Sequence, residues 1–356
     1  MDKKLLEWYQ KNKREMPWRE THDPYFIWLS EIMLQQTQVI TVIDYYNRFI
    51  KKFGDVKRLA EADEQEVLKH WEGLGYYSRA RNLHKCAQVI VSHYEGKFPR
   101  DYKQLLELPG IGPYTAGAIL SIAYNERVPA VDGNVMRVYS RYFKMNCDIS
   151  DPKSRAFFES KVMANMPDDA RHFNQALMEL GAIICTPKTP KCETCPIASE
   201  CLAKESNSQL DYPIKTQKIE KRHENVSVLL FVNQGKVMIE KRNDALLLKG
   251  LWGFPTYGVQ MTSKTEKSEV ISEDTLMDWI HKNYDFEGQI MTKIPVRKHV
   301  FTHLVWHMTM IIVKIESPKS MDYPEVKWVV PTHLEAFPLP TAFKKNLSEE
   351  ILEMLV

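Results

Sequence analysis

Four cysteines lie close together in the chain with a spacing that suits metal binding. Cys185, Cys192, Cys195 and Cys201 form the pattern C-x6-C-x2-C-x5-C. Thiolates packed this closely repel one another unless a cation neutralises them. Structural zinc usually takes two C-x2–4-C pairs, and the spacing also differs from the common ferredoxin patterns. The pattern therefore predicts a metal site and leaves an iron–sulfur cluster and zinc as alternatives.

Two carboxyl groups stand in settings that favour opposite states of ionisation. Glu31 lies in an apolar run from 27 to 34, where loss of water raises the pKa of a carboxyl and suits a general acid. Asp132 precedes a helical pattern, and a helix N-terminus stabilises an anion. An acid with an anionic partner is the pair that breaks glycosidic bonds. Position alone also allows Glu31 to be an exposed helix residue and Asp132 a simple N-cap.

A glycine-containing turn between two helical patterns offers free backbone amides. Gly110 and Gly112 lie in the string LPGIGPYTA, and Pro113 suits the first turn of the next helix. Free amides at the positive end of a helix form a sequence-independent clamp for phosphate. The turn therefore predicts contact with a nucleic-acid backbone.

The elements that must position these residues divide the chain into two patterns. Residues 1–205 carry apolar residues at three-to-four spacing, which is typical of helices. Residues 206–225 are polar and indicate a linker. We therefore expect an all-α domain over 1–205, a linker over 206–225 and a smaller α+β domain over 226–356. The predicted helices of the first domain cover 5–13, 25–36, 39–53, 64–71, 80–94, 114–123, 135–142, 155–166 and 173–184. In the second domain, strands are predicted at 226–232, 236–240, 296–301, 306–315 and 326–330, and helices at 274–282 and 344–355.

Length and composition limit the class of protein. A chain of 356 residues suggests about two domains, and 44% hydrophobic with 26% charged residues is ordinary for a protein with packed cores. No apolar run is long enough to span a bilayer, and the N-terminus lacks a signal-peptide pattern. We therefore expect a cytoplasmic protein with no membrane partner.

Five strings together resemble those of MutY-type adenine DNA glycosylases in the endonuclease III superfamily. The string around Gly110 is similar to the helix–hairpin–helix of that superfamily, and the cysteine array is similar to its [4Fe–4S] loop. Three further strings narrow the match: WLSEIMLQQTQV from 28, GLGYYSRARNL from 73 and VDGNVMRV from 131. The resemblance covers nearly the whole chain. It implies an all-α helix–hairpin–helix glycosylase domain with a [4Fe–4S] cluster on the four cysteines, followed by an α+β Nudix-like domain.

The resemblance also assigns roles at the reaction centre. Glu31 matches the acid that protonates adenine, and Asp132 matches the aspartate that stabilises the oxocarbenium-like sugar. Tyr114 and Asn134 match residues that adjust these carboxyls by hydrogen bonding. Superfamily members that cut the strand through a Schiff base carry a lysine where this chain has Tyr114, and without an amine that route is closed. We therefore expect a monofunctional glycosylase that leaves an abasic site.

Further positions match residues that contact the DNA once the target base has left the stack. Taken singly, aromatic residues such as Trp18 and Tyr76 more often lie in a core. The resemblance implies an adenine pocket at Trp18, Arg19 and Leu34, a wedge or guanine contact at Gln36 and Tyr76 with Thr37 and Leu74 close by, and a phosphate clamp at Gly110 and Gly112.

The second domain resembles a Nudix fold at the string LWGFP but lacks the box of a Nudix hydrolase. Counting from Gly258, the first glutamate position of the box holds Lys264, and no R-E-x-x-E-E follows. Because hydrolysis is excluded in this way, we expect the second domain to recognise the lesion. The Phe-Ser-His loop that reads 8-oxoguanine in this family is Phe301, Thr302 and His303 here. Threonine keeps the hydroxyl and adds a methyl group, and the trio by itself also fits an ordinary β-turn.

The substrate implied by the resemblance is double-stranded DNA with adenine opposite 8-oxoguanine or guanine, bound by a monomer. Three other functions remain as alternatives. An endonuclease III-like glycosylase and lyase for oxidised pyrimidines conflicts with Tyr114 and the long second domain. A hydrolase for oxidised dGTP conflicts with the missing box. An iron–sulfur DNA-binding protein without catalysis conflicts with the retained pair Glu31 and Asp132.

Overall fold

The computed structural model of the chain contains a helical unit and a second unit, the sheet unit, built on a mixed β-sheet. The helical unit comprises residues 1–70 and 78–217, and the sheet unit comprises 71–77 and 218–356. Lys264 lies outside the described residues. None of the described helices is long and apolar enough to cross a membrane. The residues that the structure describes are 1–216, 220–243, 247–260, 272–316 and 325–356.

All nine helices predicted for the first domain are present in the helical unit, with ends shifted by a few residues. Helices α4, α7 and α12 were not predicted because four to six residues are too few to show a period. The helices are α1 Asp2–Asn12, α2 Pro24–Leu34, α3 Val39–Lys52, α4 Val56–Glu61, α5 Glu64–His70, α6 Ser78–Tyr94, α7 Tyr102–Glu107, α8 Pro113–Ala118, α9 Gly133–Tyr142, α10 Ser154–Ala164, α11 Ala170–Ile183 and α12 Leu202–Glu205.

Helix α2 is the central helix of this unit. Asp23 caps its N-terminus by accepting a hydrogen bond from the Tyr25 amide, and Pro24 occupies the first turn. The helix has almost no polar face, and eight of its eleven residues are buried. A helix that is apolar all round has to be enclosed by other elements. For this reason Glu31, which lies within the apolar run, is buried as well.

Glycine permits a close approach between α8 and the chain that leads to α9. Helix α8 continues as a π-helical turn over Ile119–Ala123. Gly117 packs directly on the backbone of Pro129 and Ala130, so that a Cβ atom there would collide with the Pro129 carbonyl. This contact fixes the segment that ends in Asp132 against α8.

In the sheet unit, helices cover both faces of one sheet. Strand order is β3-β2-β1-β7-β5, with β4 paired to β1, β6 to β7 and β8 to β2. Strands β1 and β7 run parallel from Arg222↔Leu304 to Val232↔Lys314, and the other pairs are antiparallel. The elements are β1 Arg222–Asn233, β2 Lys236–Lys241, β3 Trp252–Gly253, β4 Thr256–Gln260, α13 Glu273–Tyr284, β5 Gly288–Pro295, β6 His299–Val300, β7 Leu304–Ile315, β8 Val326–Val329, α14 Thr341–Lys344 and α15 Glu349–Glu353.

Alternate residues of β1 face opposite cores, as expected for a strand buried on both sides. Leu230 packs in the core that includes Phe343 of α14 and Ile351 of α15. Phe231 packs in the core that includes Leu276 of α13.

Two predicted elements of the second domain differ from the structure. The strand predicted at 296–301 is only the two-residue β6. The helix predicted at 344–355 is two short helices, because the Ser348 side chain accepts a hydrogen bond from the Ile351 amide and starts a new helix. Strands β3, β4 and β5 were not predicted.

Part of the segment predicted as a linker packs in the helical unit. The Ile149 amide donates to the Ile214 carbonyl at 3.0 Å, and the Tyr212 hydroxyl donates to Asn146 at 3.1 Å. Strand β1 begins at Arg222. The domain boundaries at 205 and 226 remain a prediction.

The close contact at Gly117 yields a test of the fold. Gly117→Ala should lower the free energy of unfolding by about 1–3 kcal/mol, because the backbone has to shift even though alanine favours helix. Gly133→Ala is the matched control, since a Cβ at that first residue of α9 meets nothing within 4 Å. Thermal and denaturant unfolding of both variants measure the difference. An equal loss of unfolding free energy in the two variants would show that the close contact at Gly117 does not limit the fold.

Candidate active site

A cavity of about 630 Å³ in the helical unit brings together the four residues predicted for the reaction centre. Glu31 reaches it from α2, Tyr114 from α8, and Asp132 and Asn134 from the start of α9. Both carboxyls therefore lie on one cavity of a size that suits a small organic ligand.

Burial controls the ionisation of Glu31. Loss of water raises the pKa of this carboxyl to about 7. The Tyr114 hydroxyl donates to Oε2 at 2.5 Å and opposes the rise, while the nearby Asp132 adds to it. The Tyr114 hydroxyl also lies 3.2 Å from the Met178 sulfur, and burial raises its own pKa well above the usual value. Near neutral pH, a substantial fraction of Glu31 is therefore protonated.

Asp132 has more hydrogen-bond donors than Glu31. Its side chain caps α9 by accepting from the Val135 amide at 2.8 Å, and it accepts from the Asn134 side-chain amide at 2.7 Å. Burial nevertheless raises the pKa of Asp132, and these bonds together with the charge of Arg137 oppose the rise. The stabilising bonds expected at the helix N-terminus are present and lower the pKa of Asp132, while burial raises it and has the larger effect.

The residues predicted for the adenine pocket also line this cavity. Trp18, Arg19 and Leu34 belong to its wall, and Gln36 and Thr37 lie at the end of α2 beside them. Trp18 is held by an edge-on contact with the Tyr46 ring, with centroids 5.3 Å apart.

Arg79 of α6 fixes the turn that carries Gln36. Its guanidinium donates to the main-chain oxygens of Ile32, Met33 and Gln35 at 2.6–2.9 Å and to the Thr37 hydroxyl at 3.1 Å. Gln36 has a φ of 57°, a left-handed conformation that is unusual for this residue type. The sequence analysis did not identify this role of Arg79. Most of its acceptors are main-chain oxygens, and these leave no pattern of residue types in a sequence.

Two residues of the cavity wall were missed. Glu179 of α11 is buried and pairs with both Arg14 and Arg19. In the sequence, Glu179 is the one charged residue in the apolar stretch 176–184, which could have indicated a buried partner. Arg14 gave no such signal.

The glycine turn has the geometry expected of a phosphate clamp. Gly110 has a φ of 77° and lies so close to Asn82 that a Cβ would clash with it. Gly112 is the N-cap of α8, and Pro113 follows in its first turn. The amides at this N-terminus are therefore positioned for an anion.

The remaining predicted DNA contacts belong to the sheet unit. Leu74 is buried, whereas Tyr76 is 46% exposed and has a φ of 47°. Phe301, Thr302 and His303 form a tight turn between β6 and β7, closed by a hydrogen bond from the Phe301 amide to the Leu304 carbonyl. The hydroxyls of Tyr76 and Thr302 lie 2.9 Å apart.

The four clustered cysteines fit an iron–sulfur cluster. None of the six cysteines of the chain forms a disulfide. Burial, and then the other three cysteines of the cluster, raise the pKa of Cys195 to about 12, so these sulfurs lie close enough to repel as thiolates. Arg141 and Gln209 direct N–H groups at Cys185 and Cys192, at 3.4 and 3.7 Å.

Comparison with known proteins identifies the class. Residues 29–163 match the model of the HhH-GPD superfamily base excision DNA repair proteins, residues 185–201 match the iron–sulfur binding domain of endonuclease III, and residues 227–349 match the NUDIX domain. A solved structure of a thermostable thymine-DNA glycosylase is 33% identical with a TM-score of 0.53, and the match covers 57% of this chain and 94% of that one. The protein is therefore a DNA glycosylase with a helix–hairpin–helix fold, an iron–sulfur cofactor and a C-terminal Nudix-like domain.

Two curated relatives narrow this class to one family. The adenine DNA glycosylase of Buchnera aphidicola from Schizaphis graminum is 34% identical over 323 residues, which are 89% of this chain and 88% of the relative. The adenine DNA glycosylase of Arabidopsis thaliana is 40% identical over 352 residues, covering 84% of this chain and 55% of the relative. The chain belongs to the adenine DNA glycosylase family, which confirms the resemblance found in the sequence.

The cysteine site can be tested directly. Cys192→Ser should lower the iron bound per chain and the visible absorbance of the purified protein, because a hydroxyl is a poor ligand for this cluster. Cys86→Ala is the control, since Cys86 is a buried thiol of α6 outside the cluster. Metal analysis and circular dichroism give the readouts. Equal iron in the Cys192 variant and the wild type, or zinc in place of iron, would contradict the assignment.

Proposed function

We propose that this DNA glycosylase excises adenine mispaired with 8-oxoguanine or guanine in double-stranded DNA and leaves an abasic site. It works as a monomer in the cytoplasm, where thiols stay reduced. The observation that carries the proposal is the buried Glu31, which has a pKa of about 7 and lies on one cavity with Asp132. The names of the family's curated relatives support adenine as the base.

In this mechanism, Glu31 supplies the proton that makes adenine a leaving group. The carboxyl donates it to a ring nitrogen of the extruded base as the bond to the sugar breaks. Tyr114 occupies Oε2 as a hydrogen-bond donor, which leaves Oε1 to face the base. Trp18, Arg19 and Leu34 form the pocket for that base. Burial of the Glu31 carboxyl disfavours its ionised form before the transfer.

Asp132 then stabilises the positive charge that develops on the sugar. Its two oxygens accept from Val135 and Asn134, which holds the carboxylate in one orientation. A fixed anion beside the oxocarbenium-like sugar acts as preorganised electrostatic stabilisation. Water then completes the hydrolysis at the sugar carbon and leaves the abasic site.

The lack of an amine supports a monofunctional enzyme. A Schiff base with the sugar needs an unprotonated amine, and no lysine is present among the described residues that line the cavity. Tyr114 stands where lyases of the superfamily carry their lysine, and its high pKa makes the phenol a poor nucleophile.

The sheet unit contributes the reading of the opposite base. The pair of hydroxyls on Tyr76 and Thr302 offers both donors and acceptors to an oxidised guanine. Phe301 and His303 flank Thr302 in the turn. Gln36, with Thr37 close by, enters the gap that the extruded base leaves, and the Gly110–Gly112 turn grips the backbone.

When bound, the [4Fe–4S] cluster supplies iron–thiolate bonds that cross-link the loop from Cys185 to Cys201. The residues that would hold it are Cys185, Cys192, Cys195 and Cys201. Arg141 ties the loop to α9 by donating to the Thr186 and Pro187 carbonyls.

Thymine opposite guanine is the second candidate substrate, because the solved structure of a thymine-DNA glycosylase is 33% identical in a match that covers 57% of this chain. A duplex with thymine opposite guanine is therefore the natural competitor in every assay. Faster release of thymine than of adenine would replace the first proposal with this one.

The pH dependence of single-turnover cleavage tests the role of Glu31. An acid has to be protonated to work, so the rate should fall about tenfold for each pH unit above about 7. Glu31→Gln should lower the rate by about 10²–10⁴-fold and keep DNA affinity. A rate that is flat between pH 6 and 9 in the wild type would contradict an acid with this pKa.

Tyr114→Phe should move the alkaline fall to higher pH. The hydroxyl favours the ionised form of Glu31 by donating to it, and removing that bond raises the pKa of the acid. The measurement is the same pH series with alkali-revealed abasic sites. An unchanged or lowered midpoint would show that Tyr114 does not govern the acid.

A further inference from the structure

An acidic side chain outside the catalytic pair is buried in the wall of the cavity. Glu179 of α11 is 2% exposed. Its Oε1 accepts from Arg14 Nε at 2.7 Å and from the Arg14 amide at 3.1 Å. Its Oε2 accepts from Arg14 Nη2 at 3.0 Å and from Arg19 Nη2 at 2.7 Å. One carboxylate therefore holds two guanidinium groups that both line the cavity.

The two arginines keep Glu179 ionised in spite of its burial. Loss of water opposes the charge, but the hydrogen bonds from Arg14 and Arg19 outweigh it and hold the pKa of Glu179 at about 2. At neutral pH this wall has two cations and one anion. Arg19 is well buried and Arg14 partly exposed, so the charge of Arg19 is the less screened of the two.

Within this wall, Arg19 is the residue whose charge acts on the pKa of Glu31. Arg19 lowers the pKa of Glu31, whereas Asp132 raises it and Tyr114 lowers it by hydrogen bonding. From α6, Arg79 contacts α2 through main-chain oxygens and does not line the cavity, and α3 contributes Val39. The charged groups in the described lining are Arg14, Arg19, Glu31, Asp132, Arg155 and Glu179.

We propose that Glu179 is a positioning residue, which fixes Arg14 and Arg19 in the wall and cancels one of their two charges so that Glu31 keeps its proton. The inference rests on the proposed function, since it concerns the acid of that reaction. A second uncompensated cation near Glu31 would favour the carboxylate and remove the proton before the base arrives. Arg19 held by Glu179 and by the Arg14 carbonyl is also fixed in place as a donor to the extruded base.

Single-turnover cleavage of an adenine:8-oxoguanine duplex across pH 5.5–9 tests the proposal in four proteins. They are the wild type, Glu179→Gln, Arg14→Gln and the double variant. The Glu179→Gln substitution keeps an oxygen acceptor but removes the charge. The pH at which the cleavage rate begins to fall should therefore decrease by about half a unit or more. Arg14→Gln removes a cation and should move the midpoint of this fall to higher pH. The double variant restores the net charge of the wall, so its midpoint should return towards that of the wild type.

These outcomes separate a charge effect from a purely structural one. If Glu179 only supports the fold, both single variants lose activity by the same factor at every pH and the midpoint stays fixed, which would overturn the proposal. Circular dichroism shows whether each variant is folded. If Glu179→Gln does not fold, the Arg14→Gln variant provides the test, because an unchanged pH midpoint in that variant also overturns the inference. If the wild-type protein does not excise adenine, the proposed function is refuted, and the inference that rests on it is refuted as well.

Discussion

The removal of the Glu31 carboxyl from water is the constraint on which the rest of the site depends. Raising its pKa from about 4.5 to about 7 means that the folded state binds the proton more tightly than the unfolded chain. The free energy of unfolding therefore falls as pH rises between these two values, by about 3 kcal/mol in total. The chain tolerates this because α2 is enclosed on all sides and its apolar residues supply the offsetting burial.

Three carboxyl groups of this cavity differ in how their pKa is shifted, and the hydrogen-bond donors around each group determine the difference. Glu31 has one donor, the Tyr114 hydroxyl, and its proton is retained near neutral pH. Asp132 has two donors and the nearby charge of Arg137. Glu179 has two guanidinium groups and stays fully ionised. A protonated acid, an oriented carboxyl group and a structural anion thus arise in one cavity because the three groups have different partners.

The sequence predicted the fold where a signal is local and repeated. Helices of ten or more residues show their period, and Glu31 lies in an apolar run, so both could be located from the chain alone. The short strands β3 and β6 have too few residues for an alternation to appear. Glu179 could not be assigned, because its partner Arg14 lies 165 residues away in the chain. The raised pKa of Asp132 could not be predicted for a related reason: the cap is visible in the sequence, but the depth of burial is not.

A chain of hydrogen bonds connects the cysteine loop to the carboxyl at the start of α9. Arg137 donates to the Cys185 carbonyl at 2.8 Å and to the Asn134 side-chain oxygen at 2.9 Å. Asn134 can then present only its amide N–H to Asp132, which fixes the orientation of both groups. A loop cross-linked by a metal cluster holds the Cys185 carbonyl more rigidly than a free loop would. The position of the Asn134 amide at Asp132 therefore depends on the cysteine loop, through the two hydrogen bonds that Arg137 donates.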